Sequence, residues 1–506
     1  MPGITALPKE VLVLIGDRLD NRALMASLTT CRIIHQSLSH LLWRIIRIKQ
    51  GEPQVNFDNL TAHANFVHHY EIHGVVPWDY YGISFPGLFS LAIHRKALIN
   101  TVQDAALMAQ QDQYCITFFQ LNPSVQDLTL YSMGNYPCEE FWKAIFTSFR
   151  RPRCLRVNRL WALDGRRLDC FWRACSRFED ISLSEMSSHS PSILSELSFE
   201  SVKRLSMDWS FRLPYIQYPA LLDIIRTFHN LTRLHWKTYR GEFPIEALTK
   251  ALEDKTWPHL EDLRMAGSVG KDDGLRQIIE KLPPLRRAQI DVMMFGPSCW
   301  SNFRNKQGGS LRALDLRECR AFDNRWALDA FAFLEHLEEF TTPFIEIAHI
   351  KEYPNRWRCL GLKTLHAFFI RDPENADEDQ VAFEFLSNFK RLESIDVSNT
   401  CLWEGRLFSV EEAANLRHPH TLRWRFDKGL EKLRGLENLR RLVLDNRFQE
   451  ARVHDVQRMV EHWPFLAELT GILSADLGIR EDMAVMFKNL GIDNWDFVDL
   501  CNSISK

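Results

Sequence analysis

One short phrase keeps returning along this chain: apolar, two variable, apolar, one variable, apolar. It is clearest as LEDLRM (Leu260, Leu263, Met265), LRALDL (Leu311, Leu314, Leu316), LESIDV (Leu392, Ile395, Val397) and LRRLVL (Leu439, Leu442, Leu444). Weaker copies start at Val125, Phe178, Val202, Leu231, Leu285, Leu337, Leu362 and Leu466, and a degenerate one fills Cys154–Val157. Successive starts lie about 24 to 30 residues apart, a period that marks a stacked-repeat architecture. The step from Leu392 to Leu439 is longer and holds either an insertion or a decayed copy near Leu422-Arg423-Trp424. VHHYEI (Val67, Tyr70, Ile72) reads as an early copy, which leaves one unit without a place between residues 67 and 125.

The physical reason for stacking is simple. Three apolar residues at that spacing give each repeat a short strand with one face to bury. Before most phrases runs a segment with apolar residues three or four apart, such as LLDIIRTFHN (Leu221–Asn230), LRQIIEKLPP (Leu275–Pro284) and VAFEFLSNFK (Val381–Lys390). One strand–helix unit cannot bury its own apolar face, so neighbours stack and the core becomes continuous. The expectation is an α/β leucine-rich-repeat solenoid, a horseshoe with parallel strands on its concave side and helices on its convex side. A small all-α unit precedes it.

That unit is Leu7 to Ile46. Pro8 suits a first helical residue, and Val11, Leu12, Ile15 and Leu19 follow at helical spacing. Asn21 is placed to cap a second helix carrying Leu24 and Leu28; Thr29 and Thr30 are placed to cap a third carrying Ile34, Leu38 and Leu41, ahead of Trp43. So few residues bury too little surface to hide this much apolar side chain, so part of it is expected to meet a partner.

These residues resemble the F-box, the trihelical module of substrate receptors in cullin-RING ubiquitin ligases. The likeness lies in Leu7-Pro8-x-Glu10-Val11, the Ile15/Leu19 stripe, the Asp20-Asn21 turn, Leu24, Cys31-Arg32 and Leu42-Trp43. The chain departs from the family at Asn21, where Pro is common, at Thr30, where Val is favoured, and at His35, where an aromatic residue is usual. Trp424–Asn446 and Val456–Leu473, with its His-Trp-Pro, resemble the C-terminal end of fungal F-box/leucine-rich-repeat proteins. The resemblance implies a non-catalytic substrate receptor docking on a Skp-type adaptor, and through it on a cullin-RING ligase, through Leu7, Pro8, Val11, Leu12, Ile15, Leu19, Leu24, Leu28 and Trp43. Some of these must instead pack the three helices, and the sequence does not say which. The rival reading is an interaction scaffold with no ligase role, the head being only a cap. The expected segments are 1–48 for the head, 49–120 for a connection with degenerate early repeats, 121–475 for the solenoid and 476–506 for a C-terminal cap.

Strand alternation assigns the target-facing residues. The middle position of each phrase gives Arg156, His235, Arg264, Gln289, Asp315, His366 and Asp396, with Arg233 and Lys237 beside them. An acidic or phosphorylated segment of an unknown target protein would complement Arg233, His235, Lys237 and Arg264. The ordinary alternative is that these are solvated strand residues.

Composition excludes more than it selects. A formal net charge of −3 gives no pull toward nucleic acid or membrane, and no apolar run approaches the roughly 20 residues of a membrane span. Eleven cysteines without paired zinc spacing, and no secretory leader pattern, point to the cytoplasm or nucleus. His69 and His73 have the i, i+4 spacing of helical metal ligands, but VHHYEI fits a repeat strand better and no HExxH or Cys-rich context accompanies it. Neither metal nor cofactor is expected. There is no phosphate-binding loop, dinucleotide fingerprint or nucleophile elbow, and residues 74–120 show no paired acid/base spacing, so no enzyme activity is expected.

Overall fold

In the computed structural model the described residues are 7–95, 102–134, 137–160, 165–185, 197–209, 218–242, 245–268, 272–292, 295–317, 319, 323–353, 357–372, 374–375, 377–398, 422–444, 452–470, 483 and 485–486. Two compact units divide the chain: residues 1–235 with 256–258, and residues 236–255 with 259–506.

The first unit opens with three short helices, α1 (Lys9–Gly16), α2 (Asn21–Leu28) and α3 (Arg32–Leu38), then a 3-10 turn over Ser39–Trp43. Leu12, Leu24, Leu28, Ile34, Leu38 and Leu41 form their core, with Leu19 and Leu42 packed against it. Gly16 lets α1 close on α3, because a Cβ there would lie 2.6 Å from a Leu41 methyl and 2.9 Å from a Leu38 methyl. The caps differ from those the sequence suggested. Pro8 is the N-cap of α1, so the helix starts one residue later, and Asp20, not Asn21, caps α2 by accepting from the Ala23 N–H at 2.6 Å. Thr29 and Thr30 donate back to the carbonyls of Ala26 and Ser27 at the end of α2, while Cys31 stands at the start of α3. A hydroxyl can serve either end of a helix, and here the preceding helix claims both.

Without a linker, the chain then enters β1 (Ile45–Lys49), which straddles the expected 48/49 boundary. Next come β2 (His69–His73), β3 (Ser90–His94), β4 (Asp127–Gly134), β5 (Cys154–Leu160), β6 (Asp180–Ser184) and β7 (Arg204–Trp209), each pairing in parallel with the one before. The unplaced early repeat is β3, and the phrase around it is complete: Leu88, Leu91 and Ile93 follow the same spacing and all three are buried. β8 (Arg233–Glu242) belongs partly to each unit.

The second unit repeats the plan with β9 (Asp262–Ser268), β10 (Arg287–Val292), β11 (Ala313–Asp315), β12 (Glu339–Glu346), β13 (Thr364–Ile370), β14 (Ser394–Asp396), β15 (Arg441–Val443) and β16 (Glu468–Thr470), again parallel and in chain order. β14 pairs directly with β15, so the long step between them is an insertion rather than a decayed strand. Its end is pinned by Asp379, fully buried, which accepts from the backbone N–H of Arg423 at 3.0 Å and from its guanidinium at 2.6 Å. The expected cap at 476–506 falls almost wholly outside the described residues.

In both units alternate strand residues, Tyr70/Ile72, Leu128/Leu130, Leu155/Val157 and Leu365/Ala367, are buried. Aromatic rings fill the space between. In the first unit Phe141, Trp142, Phe171, Trp172, Phe199 and Phe228 touch in sequence, with centroids 4.3 to 6.2 Å apart and mostly edge to face, the arrangement favoured by ring quadrupoles. In the second, Phe331 meets Phe340, Phe385 and Phe389 at 5.0 to 5.3 Å. Parallel strands in chain order, with apolar residues buried along one face of the strands within each unit, make this an α/β leucine-rich-repeat solenoid.

Candidate interaction surfaces

Two surfaces qualify as binding sites, and both lie on side chains the fold does not need for its own core. The first is the head. Of the nine residues that the resemblance nominates, Leu12, Leu24 and Leu28 are buried inside the helical trio and cannot meet a partner. Leu19 packs partly against the same core. Trp43 is also occupied: its indole stacks on the His63 imidazole with centroids 4.2 Å apart and planes 7° apart. That leaves Leu7, Pro8, Val11 and Ile15 exposed. Leu14 (66% exposed), Met25 (53%) and Ile33 (49%) join them, three residues the sequence reading passed over. A finer helical-wheel reading could have found Leu14, since Leu12 and Gly16 define the inward face of α1 and Leu14 lies on neither side of it. A groove beside this patch runs between α1, α3 and the first repeat, lined by Lys9, Val13, Leu14, Gln36, His40 and Phe66 among others.

The second surface is the strand face opposite the helices. Strand register sets Arg47, Glu71, Ala92, Thr129, Arg156, Ser182 and Ser206 side by side in the first unit. Ser206 Oγ lies 3.1 Å from His235 Nδ1, extending that row. In the second unit Arg264, Gln289, Asp315, Thr341, His366, Asp396, Val443 and Thr470 align in the same way. Within each unit the register thus reproduces the order of the sequence-derived row.

Its electrostatics differ from a basic groove. Arg287 pairs with Glu339 at 2.5 Å, Arg264 stands 4.0 Å from the buried Asp262, Gln289 donates to Asp291 at 2.7 Å, and Asp315 holds Arg317 at 3.2 Å. His366 Nε2 lies 3.7 Å from Asp396, and burial pulls its imidazole below the ordinary value against the upward pull of that carboxylate. Arg156 and Arg233 are exposed, with His235 and Lys237 half-buried beside them on β8. Cations and carboxylates thus interleave, and a ligand must match an alternating pattern rather than a single sign.

One cluster on this face is of another kind. Glu71 and His73 of β2 and His94 of β3 converge, with His73 Nε2 2.8 Å and His94 Nε2 3.0 Å from Glu71 Oε1. The ligand atoms of all three lie within 4.8 Å of one another. By contrast, burial pushes the thiols of Cys115 and Cys154 up to about 11 and that of Cys359 to about 12.

No known family model matches the sequence, nor does any curated protein. Among solved structures, a leucine-rich-repeat protein of Leptospira interrogans superposes with a TM-score of 0.40 at 13% identity, covering 89% of this chain and 95% of that one. A chain of the yeast Rad7–Elc1 complex gives 0.40 at 11% identity, covering 94% of each. Superposition this loose carries no function across. No helix among the described residues is long and apolar enough to cross a membrane.

Proposed function

We propose that the chain is a non-catalytic substrate receptor of a Skp–cullin–F-box ubiquitin ligase, its head docking on the Skp-type adaptor and its strand face holding a target protein. The observation that carries this reading is the apolar surface of the head. Leu7, Val11, Leu14, Ile15, Met25 and Ile33 point outward from a unit whose core is already complete without them. Six such exposed side chains on some thirty residues call for a partner, and the residues around them follow the order and spacing of the F-box. The receptor would then work by proximity, holding the target where a ubiquitin-charged enzyme borne elsewhere can reach its lysines. This chain needs no nucleophile for that.

The scaffold reading keeps one observation of its own. The Trp43–His63 stack and the Arg44–Asp17 ion pair tie the head to the first repeat, as a simple cap would be tied. Copurification from cells separates the two. The receptor reading expects both adaptor and cullin with the wild-type chain, and loss of both on Leu14→Asp/Ile15→Asp with the unfolding midpoint unchanged. Wild-type complexes that contain neither protein would sink it and leave the cap.

A further inference from the structure

The structure assigns a binding site for a divalent first-row transition ion, Zn2+ being the probe of choice, to Glu71, His73 and His94. Three observations carry it. The first is the ligand set. Two imidazoles and one carboxylate are donors that zinc, cobalt, nickel and ferrous iron share, and that leave coordination positions open. The second is distance. Zinc holds these donors at about 2.0–2.1 Å, which sets neighbouring ligand atoms about 2.9 Å apart at a right angle and about 3.3 Å apart at the tetrahedral angle. Glu71 Oε1 already stands 2.8 Å and 3.0 Å from the two Nε2 atoms.

The third is that the two Nε2 atoms are shut off from solvent and converge on a single carboxylate oxygen. Two buried ring nitrogens gathered on one carboxylate oxygen form a donor set that a cation would complete. The surroundings suit one. Arg47 Nε donates to the other oxygen, Oε2, of Glu71 at 2.7 Å, fixing the carboxylate as an outer-shell partner fixes a metal ligand.

The site is built by strand geometry. Residues 71 and 73 share a face two apart on β2, and the register sets His94 directly beside His73. The rings of His73 and His94 stack at 3.9 Å, and Tyr131 stacks on the far side of His94 at 4.0 Å. For both in-plane lone pairs to meet one ion, the histidine rings must splay from their stack. The inference is independent of the ligase reading.

The test uses the full chain, stripped with a chelator and titrated with Zn2+ in a calorimeter, followed by X-ray absorption of the zinc-loaded protein. One tight ion per chain is expected, with two imidazoles and one carboxylate oxygen in its shell. Each of His73→Gln, His94→Gln and Glu71→Gln should weaken it by more than about 100-fold, beyond the 10–100-fold typical of losing an outer-shell partner. His68→Gln should leave it unchanged. Failure of the wild-type chain to bind, affinity unaltered in the three variants, or a zinc shell with sulfur or with no imidazole would each overturn the proposal. The absorption spectrum of the wild-type chain decides even if a variant does not fold.

Discussion

The head and the repeats spend the same residue types in opposite ways. In the repeats, an apolar residue at every second strand position disappears beneath the next unit, so Leu155, Val157, Ile181 and Leu183 are all buried. In the head, α1 turns Leu12 inward but leaves Val11, Leu14 and Ile15 in solvent. The difference is one of neighbours. A repeat is covered on both sides by copies of itself, whereas three short helices run out of elements to cover them. Exposed apolar surface in the head is therefore a property of its topology.

Substitutions can break that contrast from either side. The largest loss is expected in the repeats: Trp172→Ala removes a fully buried ring from the aromatic chain and should cost about 3–5 kcal/mol, read from denaturant unfolding. In the head, Leu28→Ala opens a cavity in a small core that partly collapses, and about 2–3 kcal/mol is expected by the same measurement. Asp20→Ala deletes the cap of α2 and should cost about 1 kcal/mol. Leu14→Ser, a few residues from Leu12, should change stability by no more than about 0.5 kcal/mol, since its side chain contributes little to the head's own core. A large destabilisation by Leu14→Ser would erase the distinction between inward and outward faces of α1.

The smallest expected effect is a pH slope. His366 has its folded pKa lowered by burial, so as pH falls the unfolded chain takes up that proton first. Its contribution is level above the unfolded value of about 6.5 and becomes unfavourable as pH drops through it toward the folded value. Unfolding midpoints at about pH 7.5 and about pH 5.5 should differ less in His366→Gln than in the wild type.

What could be read from the sequence followed from where the physics is local. The row from Arg156 to Ser206, and that from Arg264 to Asp396, needed only the period of the phrase and strand alternation, and the register reproduces both. Capping was harder, because Thr29 and Thr30 sit between two helices and either could claim them. β3 was legible as well, since Leu88, Leu91 and Ile93 carry the phrase in full and are all buried. The Glu71/His73/His94 cluster was hidden for a different reason. Its members lie on two repeats, 21 residues apart between His73 and His94, and the histidine spacing that drew notice, 69 with 73, is a helical one in a segment that is a strand. Contacts across a ladder have no signature along the chain.

The absence of a linker between Trp43 and β1 has a consequence for reach. Anything gripped by the head is held at a set bearing to the first strands, since the Trp43–His63 stack leaves the joint no free residue to pivot on. Within that unit, neighbouring strands are spaced about 4.8 Å apart. The choice of repeat that holds a ligand therefore works as a graduated scale. Moving the point of attachment from β4 to β7 would carry the ligand three graduations further from the head, with no change in the chemistry of either grip.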